Sequence, residues 1–241
     1  MRWLIALLAV CLAHAATAAT CTDQMFDGDS YTICEVTTAD DLRLFHSGPD
    51  GVLGSFSAVN DLLAAQGKTL GFAMNAGMYH PDRAPVGLYI EEGREVSRIV
   101  TSDGPGNFGL LPNGVFCITD RFAVIESREY AKRPPSCRFA NQSGPMLVID
   151  GKLHPEFLAG SDSVNIRNGV GVSLDGTHAI FAISNVPVNF HAFARFFRDA
   201  LGMPNALFLD GSISRLYAPS LARDDLGLPL GPIIGTVVPQ G

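Results

Sequence analysis

Four stretches of this chain repeat one pattern, a run rich in β-branched and aromatic residues broken by a two-residue turn. They lie at 86–100 around Glu92-Gly93, 109–119 around Asn113-Gly114, 146–153 around Asp150-Gly151 and 169–184 around Asp175-Gly176. Asn-Gly and Asp-Gly tolerate the positive φ of a type I′ turn, whose twist matches that of paired strands. The pattern predicts hairpins and a largely antiparallel or mixed sheet.

Helical periodicity occurs twice, at 57–66 and at 189–201. In the second, Phe190, Phe193, Ala194, Phe197 and Leu201 fall on one face while Arg195, Arg198 and Asp199 face outward. Asn189 suits the N-cap, Gly202 the C′ position, and Pro204 blocks continuation. Two helices packed on hairpin-built sheets make an α+β fold. Directly after the second helix comes Asn205-Ala-Leu-Phe-Leu, which reads as a buried strand and ends in Asp210-Gly211-Ser212-Ile-Ser214-Arg215. A polar cluster at the end of a buried strand is held on rigid scaffolding.

Composition places this fold in a compartment. Arg2, the apolar stretch 3–13 and the small residues around Ala13-His-Ala15 and Ala16-Thr-Ala18 describe a secretory signal peptide over 1–20. The apolar stretch is too short to span a bilayer. Thr20 before Cys21 fits a lipoprotein signal poorly, so no acyl anchor is expected. Removal takes Cys11 and Trp3 with it and leaves Cys21, Cys34, Cys117 and Cys137 in an exported, periplasmic or secreted protein. Four cysteines in an oxidising compartment allow three pairings, of which Cys21 with Cys34 and Cys117 with Cys137 close the shortest loops. Residues 21–241 suffice for one domain, and no Pro, Ser or charge run divides them.

Charge excludes one class of partner. Without Arg2, 16 basic side chains stand against 24 acidic ones, a net charge of −8. No basic stripe occurs, so nucleic acid is not an expected partner, and an anionic ligand must be met by a few placed arginines. No membrane span is expected in the mature chain, and oligomeric state is not encoded in any motif.

Local signatures of cofactor and metal chemistry fail. Gly104-Pro-Gly106-Asn-Phe-Gly109 has dinucleotide-binding spacing, but a hairpin is expected after it, with no helix N-terminus for a pyrophosphate. There is no H-E-x-x-H, paired-cysteine metal spacing or G-x-S-x-G, and the histidines are scattered. The expectation is no cofactor and no catalytic metal. Oxygen ligation by loop carboxylates leaves room for a structural calcium.

Three further polar clusters join Asp210. Asn75-Ala-Gly77-Met-Tyr79 follows an apolar run; Asn75 both donates and accepts, and Gly77 permits close approach, though an ordinary turn has the same composition. Gln142-Ser143-Gly144-Pro145 offers side-chain donors to a sugar or oxyanion, or is a loop with a rigid exit. Arg167-Asn168-Gly169 places a guanidinium ahead of a strand, suited to a phosphate or carboxylate unless it is merely salt-bridged. Asp210-Gly211 could itself be a fifth hairpin turn.

In order, Met74-Asn75-Ala-Gly77-Met-Tyr79, Gln142-Ser143-Gly144-Pro145, Ile166-Arg167-Asn168-Gly-Val-Gly171, the Phe-rich helix and Leu209-Asp210-Gly211-Ser212 resemble the phosphodiester glycosidase family. The resemblance spans roughly residues 71–235. It implies an exported hydrolase that cleaves the glycosidic bond of a sugar-1-phosphodiester, with Arg167 on the phosphate and Asp210 as base, nucleophile or electrostatic partner. Asn75, Gly77, Tyr79, Gln142, Ser143, Gly144, Asn168, Gly211, Ser212 and Ser214 would line the substrate site. Two departures stand out: Ser212 and Ile213 replace the family's further glycines, and Asn168 stands where many members have Thr. They keep open a non-catalytic periplasmic glycan- or envelope-polymer-binding protein of the same fold. A metal-dependent phosphodiesterase is a third reading.

Overall fold

The apolar run before Asp210 is continuous because both of its faces are covered. In the computed structural model, which describes residues 19–240, the strand Asn205–Asp210 sends Leu207 and Leu209 into one core and Ala206 and Phe208 into another. A strand exposed on one side would alternate instead.

That strand belongs to a seven-stranded sheet. Its order is Thr20–Phe26, Asp29–Thr37, His178–Ser184, Asn168–Val172, Asn205–Asp210, Met146–Ile149 and Lys152–Leu153. A five-stranded sheet contains Phe122–Glu126, Gly114–Ile118, Phe139–Ser143, Tyr89–Glu91 and Arg94–Ser97. A second five-stranded sheet contains Arg223–Asp224, Leu216–Ala218, Lys68–Asn75, Ile233–Pro239 and Leu42–Phe45. Neighbours pair antiparallel throughout, including the two-stranded ribbon Ser47–Gly48 with Gly51–Val52. The sheets meet at Phe181, whose ring lies 5.3 Å from Phe72 and 5.7 Å from Phe116, one contact to each smaller sheet. The fold is therefore α+β with antiparallel sheets, as the turn pattern predicts.

Helices cover the outer faces. Phe56–Ala64 buries Phe56, Val59 and Leu63 against Leu70, Ala73, Ile233 and Val237, and Ser55 caps it by accepting from the Ala58 amide at 3.1 Å. Asn189 caps Phe190–Arg195 as expected, its Oδ1 accepting from the Ala192 amide at 2.8 Å. The rest of the predicted helix is a π-helical turn, Phe196–Ala200, rather than a continued α-helix. Phe193, Phe196 and Phe197 are all buried, and Phe196 stacks on Tyr31 with ring centroids 3.9 Å apart.

Three of the four predicted turns close hairpins. Glu92-Gly93 and Asp150-Gly151 have φ of 48° and 74°, and 47° and 77°, positive at both positions as a type I′ turn requires. The loop around Asp175-Gly176 joins Asn168–Val172 to His178–Ser184. Asn113-Gly114 is a correction. Gly114 opens a strand whose hairpin partner, Phe122–Glu126, follows residues 119–121. Glycine serves packing here, because a Cβ would stand 3.1 Å from Met146 Cγ and 3.2 Å from Leu207 Cδ1. An unpredicted hairpin joins the first two strands through Asp27-Gly28, with φ of 50° and 91°. Within Gly104-Pro-Gly106-Asn-Phe-Gly109 the chain makes a single helical turn, Gly106–Gly109, and the hairpin of Gly114–Ile118 with Phe122–Glu126 follows it. Ser127–Lys132 is a further short helix without a periodic signal in the sequence.

The two disulfides are Cys21–Cys34 and Cys117–Cys137, the local pairing. Of the signal peptide expected over 1–20, residues 1–18 lie outside the described residues; Ala19 is buried and Thr20 opens the first strand. Among the described residues, no helix is long and apolar enough to cross a membrane.

Candidate active site

Asp210 stands at the end of its strand, in register with Asn168 of the neighbouring strand. The chain then turns sharply, and the next strand, Leu216–Ala218, belongs to a different sheet, so Asp210-Gly211 is not a hairpin turn. The carboxylate nonetheless holds the turn: Oδ1 accepts from the amides of Gly211 at 2.6 Å, Ser212 at 2.8 Å and Ile213 at 3.3 Å. Oδ2 takes part in none of these bonds. Burial pushes the Asp210 pKa up, opposed by the amides of Ser212, Gly211 and Ile213.

Arg167 immediately precedes Asp210's partner in the sheet and is fully buried. Nε donates to Val188 O at 2.8 Å and Nη2 to Ser163 O at 2.9 Å. The guanidinium lies 3.7 Å from the centroid of Phe190 and 5.4 Å from that of Phe208. Nη1 is buried without a hydrogen-bond partner among the described residues. It points to Gly211, where a Cβ would lie 3.3 Å from it and 2.9 Å from Phe208 Cζ. Among the described residues, no carboxylate forms an ion pair with Arg167. Desolvation lowers its pKa to about 10, which still leaves it charged at neutral pH. A buried cation costs several kcal/mol to desolvate. Two carbonyls and two rings offset part of this, and an anion at Nη1 would offset more.

A buried amide network braces the two groups. Asn75 Nδ2 donates to Asn168 Oδ1 at 3.1 Å, and Asn168 Nδ2 donates back to Asn75 O at 2.8 Å. Asn75 Oδ1 accepts the Arg215 amide at 2.9 Å. Ser214 Oγ lies 2.9 Å from Ile166 O, 3.0 Å from Asp210 O and 3.2 Å from Asn168 Oδ1, with one proton to share among them. Asn168→Ala strands the Asn75 side-chain donor and carbonyl together. We expect it to lower unfolding free energy in urea by about 2–3 kcal/mol, the penalty of buried unsatisfied groups.

The structure brings Asn75, Arg167, Asn168, Asp210, Gly211 and Ser214 together. Ser143 touches the cluster through Leu209 O, to which its Oγ donates at 3.0 Å. Gly77 packs beside this strand, where a Cβ would lie 3.7 Å from Ser143 Cβ. Tyr79 donates to Pro229 O at 2.7 Å; burial raises its pKa and the Asp210 charge raises it further. Ser212 is exposed and its side chain is uncommitted. Gln142 is spent internally: Oε1 accepts from Leu88 and Val100 amides at 3.0 Å, and Nε2 donates to Ser127 Oγ at 2.8 Å and to Val100 O. Gly144 is required by packing, since a Cβ would fall 2.4 Å from Asn113 Cβ. Among the described residues, no three His, Cys, Asp or Glu side chains converge on a metal position.

Sequence reasoning missed Phe190 and Phe208 as the walls of the guanidinium slot, taking them as core alone. It also passed over Arg215, visible at the end of the polar run 210–215. Its Nε and Nη1 donate to Asp225 O at 2.7 Å and Leu228 O at 3.0 Å, tying the following loop to the site.

Comparisons with known proteins identify the family and the fold. The phosphodiester glycosidase family matches residues 68–225, which include all of the residues described above for the site except Leu228 and Pro229. An uncharacterised protein of Escherichia coli strain K12, YigE, is 39% identical over 145 residues, a match spanning 60% of this chain and 57% of that relative's length. Among solved structures, the catalytic domain of zebrafish N-acetylglucosamine-1-phosphodiester alpha-N-acetylglucosaminidase, auto-inhibited by its pro-peptide, superposes with a TM-score of 0.61. The identity is 16%, with 90% of this chain and 81% of that one covered. A Burkholderia pseudomallei K96243 protein described as exported has a TM-score of 0.58 at 12% identity, covering 86% and 74%. With the family matched across well over half of its length, the chain belongs to the phosphodiester glycosidases.

Proposed function

We propose that this protein is an exported hydrolase that cleaves the bond between the anomeric carbon of a sugar and the phosphate of a sugar-1-phosphodiester. The observation that carries the reading is a buried guanidinium whose unpaired N–H faces Gly211, the neighbour in the chain of a buried carboxylate that binds the turn amides through Oδ1 alone. Phosphate leaves more readily than a sugar alcohol, so the reaction needs little general acid help and a well-placed cation on the departing group.

In this mechanism Arg167 Nη1 binds a phosphate oxygen and Asp210 Oδ2 takes a proton from water. The water oxygen bonds to the anomeric carbon as the carbon–oxygen bond breaks, and that electron pair leaves on the phosphate. The products are a free sugar and a phosphate monoester, and the proton passes from Asp210 to solvent. Oδ1 stays tied to three amides and fixes the direction of Oδ2. A carboxyl whose pKa is raised by burial is a better base near neutral pH than an ordinary one. Asn75, Asn168, Ser143, Ser212, Ser214 and Tyr79 shape the sugar side. The reaction uses no cofactor. Export is supported by the leader-like first twenty residues and by the two disulfides.

A panel of aryl and alkyl sugar-1-phosphodiesters, assayed for monoester release with and without chelator, tests the proposal. Chelator-insensitive release is expected. Tight binding with no release from any member would favour a glycan-binding protein instead. That reading draws on Ser212 and Ile213, where the family has glycines.

A further inference from the structure

His154 is a buried titratable side chain that the mechanism does not use. It directly follows the strand Lys152–Leu153, is 2% exposed, and its amide donates to Leu147 O at 3.3 Å, which ties it to the strand Met146–Ile149 of the seven-stranded sheet. Its Nδ1 accepts the Glu156 amide at 3.2 Å and its carbonyl accepts the Phe157 amide at 3.2 Å, closing a turn. Burial holds the His154 pKa below the ordinary histidine value, so the ring is neutral at neutral pH.

The Phe157 ring lies on the His154 ring, with centroids 4.7 Å apart and planes 22° from parallel, and on the Phe190 ring, at 5.0 Å and 8°. Phe190 in turn has the Arg167 guanidinium 3.7 Å from its centroid. One series of contacts therefore runs from the sheet to the anion-binding group. Of residues 155–160 only Phe157 is withdrawn from solvent, so this loop has no core of its own. Its other bonds converge on the same place: Ala159 O and Ser161 O accept from Asn189, the cap of the helix that starts at Phe190, at 3.1 and 3.2 Å, and Ser163 O accepts from Arg167 Nη2. Two carbonyls direct Nε and Nη2, and the Phe190 ring limits how far the guanidinium can tilt away from them. We propose that His154 and Phe157 are positioning residues for Arg167: the stack founded on His154 holds Phe190 against the guanidinium and so fixes the direction of Nη1. The consequence for turnover rests on the proposed glycosidase reading, and the consequence for the guanidinium does not.

The test reads hydrogen exchange of the Arg167 Nε–H by ¹H–¹⁵N NMR, beside kcat/KM on the panel of sugar-1-phosphodiesters. His154→Ala and Phe157→Leu should each speed that exchange by about tenfold, the coupling expected between side chains in contact. Each should also lower kcat/KM by about tenfold or more, as a displaced binding group does. His154→Phe keeps a ring in the stack and should retain most of the parent's protection and activity. Val59→Ala, a buried truncation in the separate core under the helix Phe56–Ala64, controls for lost stability and should leave Arg167 exchange at the parent rate. Arg167 exchange no faster in His154→Ala and Phe157→Leu than in Val59→Ala overturns the inference. If His154→Ala does not fold, Phe157→Leu decides alone, because Phe157 is only half-buried. Faster exchange with unchanged kcat/KM in an active enzyme also overturns it, since the orientation then carries no chemistry. Faster exchange in a protein that hydrolyses no panel member keeps the positioning stack and removes the glycosidase reading, so the two failures are separable.

Discussion

Replacing Arg167 with Met lowers kcat/KM on a sugar-1-phosphodiester by about 10³-fold or more while the protein stays folded and melts no lower than the parent. The first half follows from the role given to Nη1: a preorganised donor on developing charge is worth about 10²–10³-fold, and a guanidinium on a departing phosphate more. The second half follows from the burial. Arg167 is desolvated, has no carboxylate partner in an ion pair among the described residues, and is held by two carbonyls and two aromatic rings. Met keeps the contact with Phe190 and Phe208 and removes the desolvation cost, as when buried ionic groups give way to apolar ones of similar volume. Ala, by contrast, would leave a cavity between the rings and confuse lost packing with lost chemistry. Steady-state kinetics and thermal melts on the Met protein separate the effects. A folded Arg167→Met enzyme with undiminished kcat/KM would remove Arg167 from the mechanism.

Asp210→Asn is expected to lower kcat by about 10³-fold with the turn intact. An asparagine oxygen can still accept the amides of Gly211, Ser212 and Ile213, so the loss falls on Oδ2 and its proton. The pH dependence has a definite sign. Burial raises the Asp210 pKa in the folded protein, so the base is lost as pH falls through a value above the ordinary carboxylate range near 3.9. The acid limb of kcat/KM should therefore lie above that range. Stability runs the other way: a raised folded pKa means that the folded state holds the proton more tightly. Asp210's contribution is complete below its unfolded pKa and is lost as pH rises through the folded one. Asp210→Asn cannot lose it, so the melting temperature of the variant relative to the parent should rise from pH 3 to pH 7. An acid limb at ordinary carboxylate pH, together with a pH-independent difference in melting, would show that Asp210 is an unperturbed turn residue.

The architecture was legible where one local cause acts. Positive φ at Glu92-Gly93 and Asp150-Gly151 is a property of the turn itself, and the Asn189 cap is a property of one helix end. Asn113-Gly114 misled because its glycine answers to Met146 and Leu207, distant in sequence, and no dipeptide carries that information. The π-turn Phe196–Ala200 has no counterpart in a 3.6-residue pattern, and Phe196, which stacks on Tyr31 of the sheet's second strand, is not among the residues that pattern puts on the apolar face.

The site was legible as residue types and order, and less so as commitments. Gln142 has the donors of a ligand residue, but two amides, a carbonyl and a hydroxyl already use them. Arg167 could have been one more surface ion pair; its isolation depends on three segments, at 163, 188–190 and 208, meeting around one guanidinium. Asp210 proved to be both of the things its sequence allowed, a turn residue through Oδ1 and a group with a free oxygen through Oδ2.

The central claim is that the carbon–oxygen bond at the anomeric centre is the one that breaks, with water activated at Asp210. Hydrolysis of a sugar-1-phosphodiester in ¹⁸O-labelled water, read by mass spectrometry of both products, tests it most directly. The label is predicted in the released sugar, with none in the phosphate monoester. Label in the monoester would mean attack at phosphorus and would contradict the glycosidase mechanism.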